Sequence, residues 1–155
     1  YLRMDYWHYR IAIHEDGTDD LAYLGWRVQD REALCDLVKT LTTAGIEVRL
    51  GSEAEAAERH VLGLAKLISP GGIPTEIFWG PQIDAQSPFH PGRPMFGRFK
   101  TGDGGMGHVA VNEPDVAAAR VFYGLLGLKG DAEYKLGLPI YLRLPTSTYV
   151  YLRRH

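Results

Sequence analysis

The apolar positions of this chain change period several times, and each change marks an element boundary. At positions 6–14 aromatic and β-branched residues alternate loosely with polar ones, the pattern of a strand. Positions 15–20 are turn-rich, and 21–28 read as a second strand. The period then lengthens. Ala33, Leu34, Leu37, Val38 and Leu41 fall on one helical face, which predicts a helix from an Asp30 N-cap to Ala44, stopped by Gly45. Positions 46–50 read as a short strand and 52–59 as a short helix or turn. Positions 61–68 and 74–79 read as two strands around Ser69-Pro-Gly-Gly72, which predicts a hairpin.

Positions 80–107 are rich in proline and glycine and carry no sustained period, so they read as an irregular connection. This divides the chain into a first domain at 1–80, a linker at 81–106 and a second domain at 107–155. In the second, 107–112 read as a strand. Pro114 at the first helical position, with Asn112 or Glu113 near the cap, opens a helix to about Leu126, closed by Gly127. Positions 131–138 read as a strand. The tail from Ile140 reads as one or two strands broken at Pro145-Thr-Ser-Thr148. The order is β-β-α-β-(α)-β-β, then β-α-β-β. If a β-α pair preceded Tyr1, both parts would be built from βαβββ units. The expected class is therefore α+β, from repeated modules truncated at both ends.

Composition narrows the function classes. A formal charge of −2, with no basic run, argues against a nucleic-acid partner. No stretch approaches the roughly 20 apolar residues of a membrane span. One cysteine, Cys35, excludes an intrachain disulfide and fits a reducing cytoplasm; its helical setting predicts a packing thiol. None of the six histidines has HxH, HxxxH or HExxH spacing. Gly102-Asp-Gly-Gly-Met-Gly107 precedes a strand rather than a helix, which argues against a phosphate cradle. His108 follows this glycine-rich approach and begins a short apolar strand. A satisfied structural histidine is the default there, and a metal ligand is the alternative. Glu76 is a carboxylate on a predicted strand, and the strand aromatics read as sheet core.

Five blocks carry a resemblance. They are Tyr1-Leu-Arg-Met-Asp-Tyr-Trp-His8, Asp19-Asp-Leu-Ala-Tyr-Leu-Gly-Trp-Arg-Val28, Pro70-Gly-Gly-Ile-Pro-Thr-Glu-Ile-Phe-Trp-Gly80, Pro88-Phe-His-Pro-Gly-Arg-Pro94 and Gly105-Met-Gly-His108. In order and nearly without gaps, they resemble the type I extradiol dioxygenases of the vicinal oxygen chelate superfamily, above all those acting on 1,2-dihydroxynaphthalene and 2,3-dihydroxybiphenyl. The resemblance covers about positions 1–139. It implies the glyoxalase-like fold, two domains each made of paired βαβββ modules, and a cytoplasmic, homo-oligomeric enzyme of aromatic-hydrocarbon catabolism. It implies Fe(II) held by two histidines and a glutamate in the C-terminal domain, with a catechol-type substrate and molecular oxygen on the open positions. His108 matches the first iron histidine, and Ala110, two residues on, is expected to line the substrate pocket. The family's remaining iron ligands and acid/base histidine have no match here. Glu76 matches the N-terminal counterpart of the iron glutamate. Ala22, about where the counterpart of the second histidine falls, cannot ligate, so that domain is expected to hold no metal. The alternatives left open are a binding module of the same superfamily and a fragment that folds without activity.

Overall fold

The computed structural model describes residues 1–15, 17, 20–90, 108–128, 140–143 and 149–153. The chain divides into two compact units: Tyr1–Ile68 with Ile73–Pro94, and Ser69–Gly72 with Met95–His155.

The first unit contains β1 (Leu24–Arg27), α1 (Arg31–Thr43), β2 (Arg49–Leu50), α2 (Glu53–Glu58), β3 (Gly63–Ile68) and β4 (Pro74–Trp79). Its sheet has the order β1-β4-β3-β2. β1 runs parallel to β4 and places Gly25 opposite Glu76, while β3 and β4 form the predicted hairpin, with Lys66 opposite Glu76. Parallel strands need a long return, and the stretch from α1 to β3 provides it. α1 begins where Asp30 accepts the Ala33 amide at 2.9 Å. It ends at Gly45, whose φ of +81° suits a residue without Cβ. Leu34 and Leu41 are the buried residues of its apolar face, and Leu64, Ala65, Leu67 and Ile77 fill the sheet side of the core. α2 is held by a reciprocal capping box between Ser52 and Glu55.

Two expectations for this unit fail. Positions 6–14 form no continuous strand, only the isolated bridges Leu2↔Ile11 and Trp7↔Ile83. The cause is Asp5, which accepts the Trp7 amide at 3.1 Å and pairs with Arg10, bending the chain into a loop. Arg10 then lies over the Trp7 ring, 3.4 Å from its centroid. Cys35 is exposed rather than packed, because it falls beside the stripe that Leu34 and Leu41 define.

The second unit contains β5 (His108–Asn112), α3 (Val116–Leu125), β6 (Ile140–Arg143) and β7 (Tyr149–Arg153), with sheet order β5-β7-β6. β5 runs parallel to β7, and β7 runs antiparallel to β6. The first unit has the same plan: its opening strand is parallel to its last, and the last is antiparallel to the one before. The modular repeat expected from element order is therefore present in the pairing. Asp115, not Asn112 or Glu113, caps α3, accepting the Ala117 and Ala118 amides at 2.9 and 3.0 Å. Pro114 consequently precedes the cap instead of occupying the first helical position. Ala119, Phe122 and Tyr123 are the buried residues of α3. The predicted strand at 131–138, the break at 145–148 and the connection at 91–107 lie outside the described residues. The described part of the connection, 80–90, holds no helix and only the bridge at Ile83.

Candidate functional site

His108 opens β5 opposite Tyr149, and Ala110 is the central residue of the same strand, opposite Tyr151. Among the described residues no group of three or more His, Cys, Asp or Glu converges on a point that could hold a metal ion. One imidazole cannot hold Fe(II) against water, so the described residues do not by themselves fit the metal that the resemblance implies.

Glu76 sits on β4 of the first unit, buried and answered by protein cations. Arg59 grips it with a fork, Nε to Oε2 at 3.1 Å and Nη2 to Oε1 at 3.2 Å. Lys66 Nζ lies 3.5 Å from Oε1. The pairing continues outward: Lys66 reaches Glu55 at 2.7 Å, and Arg49 binds Glu55 through both guanidinium nitrogens at 2.7 and 3.0 Å. Arg59 also lies 4.3 Å from the Tyr23 ring centroid, and its carbonyl accepts the Tyr9 hydroxyl at 2.9 Å. Burial opposes the Arg59 charge, but the hydrogen bonds and charge of Glu76 outweigh it, and the guanidinium holds its proton more tightly than usual. Burial pushes the Tyr9 and Tyr23 phenols up. The Glu76 lone pairs are committed to hydrogen bonds, which leaves a structural ion network rather than a free ligand. Ala22 lies just before β1, exposed and without a donor atom. The sequence reading missed Arg59 and Lys66 as partners of Glu76. For Lys66 a signal existed, because the hairpin register places it directly across from Glu76. Arg59 follows α2, and nothing local points it at β4.

A second cluster in this unit was also missed. The His8 and His60 rings lie with centroids 3.9 Å apart and planes tilted by 35°. His8 Nδ1 lies 3.0 Å from Asp84 Oδ2, and His60 Nδ1 lies 2.9 Å from Gln82 Oε1. Hydrogen bonds from Gln82 and then from His8 hold the Asp84 carboxyl below its usual range, against some burial. With the backbone bonds His8 N to Gln82 O and Gln82 N to His60 O, these contacts fasten the 1–11 loop to the segment after β4.

Comparison with known proteins gives the arrangement its context. No family model matches the chain. The chain is 61% identical over 139 residues to a biphenyl-2,3-diol 1,2-dioxygenase of Sphingomonas paucimobilis, covering 90% of this chain and 46% of that protein. It is 61% identical over 139 residues to a 1,2-dihydroxynaphthalene dioxygenase of Sphingobium xenophagum, covering 90% and 47%. Its fold superposes on a crystal structure of catechol 2,3-dioxygenase with a TM-score of 0.88 and 53% identity, over 97% of this chain and 53% of the other. A halotolerant catechol dioxygenase gives 0.83 and 30% over 97% and 52%. The chain is thus a homologue of the 1,2-dihydroxynaphthalene and biphenyl-2,3-diol dioxygenases, the extradiol group that its sequence resembles, and it spans about half of their length.

Proposed function

We propose that the protein to which this chain belongs is an Fe(II)-dependent extradiol dioxygenase that opens bicyclic or biaryl catechols with molecular oxygen, and that the 155 residues alone are inactive. The observation that carries this reading is the 61% identity over 139 residues to relatives named for both substrate types. Residues 1–80 serve as the metal-free domain, 81–106 as the linker and 107–155 as the opening of the metal-bearing domain. His108 supplies one iron ligand and Ala110 lines the substrate pocket. No step through iron is assigned to this chain, since its described residues do not complete a coordination set. What the first domain contributes is a scaffold whose candidate ligand position, Glu76, is neutralised internally by Arg59 and Lys66. The enzyme works in the cytoplasm as a homo-oligomer; no described helix is long and apolar enough to cross a membrane.

Oxygen uptake tests the reading. The full-length protein, loaded anaerobically with Fe(II), is expected to consume oxygen with 1,2-dihydroxynaphthalene or 2,3-dihydroxybiphenyl. Its His108→Ala variant and the 155-residue chain are expected to consume none. Turnover by either of these would show that the metal site has been misplaced.

A further inference from the structure

We propose that Glu113, Tyr123 and Ser69 form a buried positioning device, closed against Gly71, that fixes the end of β5 and through it the strand carrying His108. Its bearing on metal binding rests on the reading of His108 as a ligand; its structural part does not.

Glu113 directly follows β5 and is 0% exposed, as is Tyr123 on α3. A carboxylate buried this way is costly unless its oxygens are engaged. Tyr123 donates its hydroxyl hydrogen to Glu113 Oε1 at 3.1 Å, and Ser69, 4% exposed, hydrogen-bonds the Tyr123 hydroxyl in turn. Burial, and then the Glu113 charge, push the Tyr123 phenol up, so it remains a donor across the working pH range.

Among the described residues the other oxygen, Oε2, has no hydrogen-bonding partner. It lies against Gly71, where a Cβ would come within 2.2 Å of it and 3.0 Å of Pro114 Cδ. Gly71 is not in the left-handed region, so glycine is needed there for space and not for backbone conformation. The carboxylate is therefore seated between one directional donor and one glycine face.

This seat joins three pieces of the second unit: the exit of β5, the middle of α3 and the Ser69–Gly72 turn. A leucine could fill the same volume without the desolvation cost. What the carboxylate adds is direction, because its hydrogen bond to Tyr123 has one good geometry, and Val111, buried two residues earlier, must follow. A strand held at the residue that directly follows it cannot slide freely, and a one-residue slip would turn every side chain to the other face.

Two measurements test the device. The first is a thermal double-mutant cycle between Gly71→Ala and Glu113→Ala. Each alone is expected to lower Tm, and the double variant to lose clearly less than the two losses added, because removing the carboxylate makes room for the new methyl. If Glu113→Ala does not fold, Glu113→Ser replaces it, with the same expectation and the same overturning outcome, because its short side chain also clears the space that the new methyl needs. The second uses Tyr123→Phe, which deletes one hydroxyl and keeps the ring. Amide exchange at Val109 and Val111 is expected to quicken about tenfold while α1 amides stay unchanged. Anaerobic Fe(II) titration of the full-length variant is expected to weaken by about tenfold or more. Additive losses with alanine at 113, or wild-type exchange in β5 of Tyr123→Phe, overturn the device. A wild-type protein that binds no Fe(II) overturns the reading of His108 instead, and the cycle and exchange still decide the device.

Discussion

Each unit of this molecule buries a glutamate beside a parallel strand pair, and the two are treated in opposite ways. Glu76 in the first unit meets a guanidinium fork and an ammonium. Glu113 in the second meets a phenol and the bare backbone of a glycine. In the first, charge answers charge, and the site is closed to any further cation. In the second, one neutral donor sets direction, and among the described residues no cation pairs with the carboxylate. The same βαβββ-type pairing thus supports two uses of a carboxylate. One serves as an internal counter-ion that makes the module self-sufficient. The other serves as a fixed point next to the strand on which chemistry is proposed.

The contrast is most easily broken in the first unit. Arg59→Ala strips the guanidinium fork from buried Glu76 and leaves it only the longer contact to Lys66, 3.5 Å from one oxygen, which is expected to cost about 3 kcal/mol in urea denaturation. Removing both charges, as in Arg59→Leu with Glu76→Leu, is expected to recover most of that loss. If the single variant is as stable as wild type, Glu76 is not held by Arg59 in the way the distances imply. Tyr123→Phe should cost less, about 1–3 kcal/mol, because a neutral donor is lost and the ring still fills its place. A loss matching that of Arg59→Ala would erase the distinction between the units.

The local part of this comparison was legible in the sequence, and the non-local part was not. α1 was readable because its signals are contiguous: Asp30 caps, the stripe containing Leu34 and Leu41 faces the core, and Gly45 ends it. The β3–β4 hairpin was readable for the same reason. The 1–11 loop was misread because its alternation serves contacts with distant Gln82 and Asp84 and a local Asp5 turn, not a strand ladder. At the C-terminal end of β5, Glu113 follows Val109 and Val111 at every second position. A carboxylate on that apolar parity was the available hint of a buried polar partner. Its partner Tyr123 comes from α3, and Ser69, which in turn bonds Tyr123, comes from a turn about forty residues earlier; no local pattern reports either. His108 was singled out through resemblance to a block of residues; its own spacing to other histidines gave nothing.

A smaller effect separates local capping from long-range charge pairing within the first unit. Ser52→Ala removes one half of the capping box of α2 and is expected to cost about 1 kcal/mol, read as a shift in urea midpoint at unchanged m. Glu55 forms the other half but also binds Arg49 and Lys66, so Ser52→Ala should leave those ion pairs in place. A loss as large as that of Arg59→Ala would mean that α2 organises the charge network, rather than hanging from it.

The smallest effect is the acid response of Glu55. Hydrogen bonds from Arg49 first, then Lys66 and the Ser52 amide, hold its carboxyl far below the usual range. A folded-state value below the unfolded one means that the native state binds its proton later. The stabilisation is therefore complete above the unfolded value of about 4.3 and is lost progressively as pH falls beneath it. From pH 7 to 5, wild type and Glu55→Gln should change Tm in parallel. From about pH 4 to 2.5 the wild type should fall more steeply, since the variant has no proton to take up there. Asp84, also held low, remains in both proteins and cancels in the difference. The extra steepness should shrink in about 1 M salt, because Arg49 is largely exposed and its pair with Glu55 is screened. Parallel acid limbs in the two proteins at low salt would mean that Glu55 is as easily protonated in the native state as in the unfolded chain. The Arg49–Glu55–Lys66 branch would then be a surface contact without energetic weight, leaving Arg59 and Glu76 as the part of the network that matters.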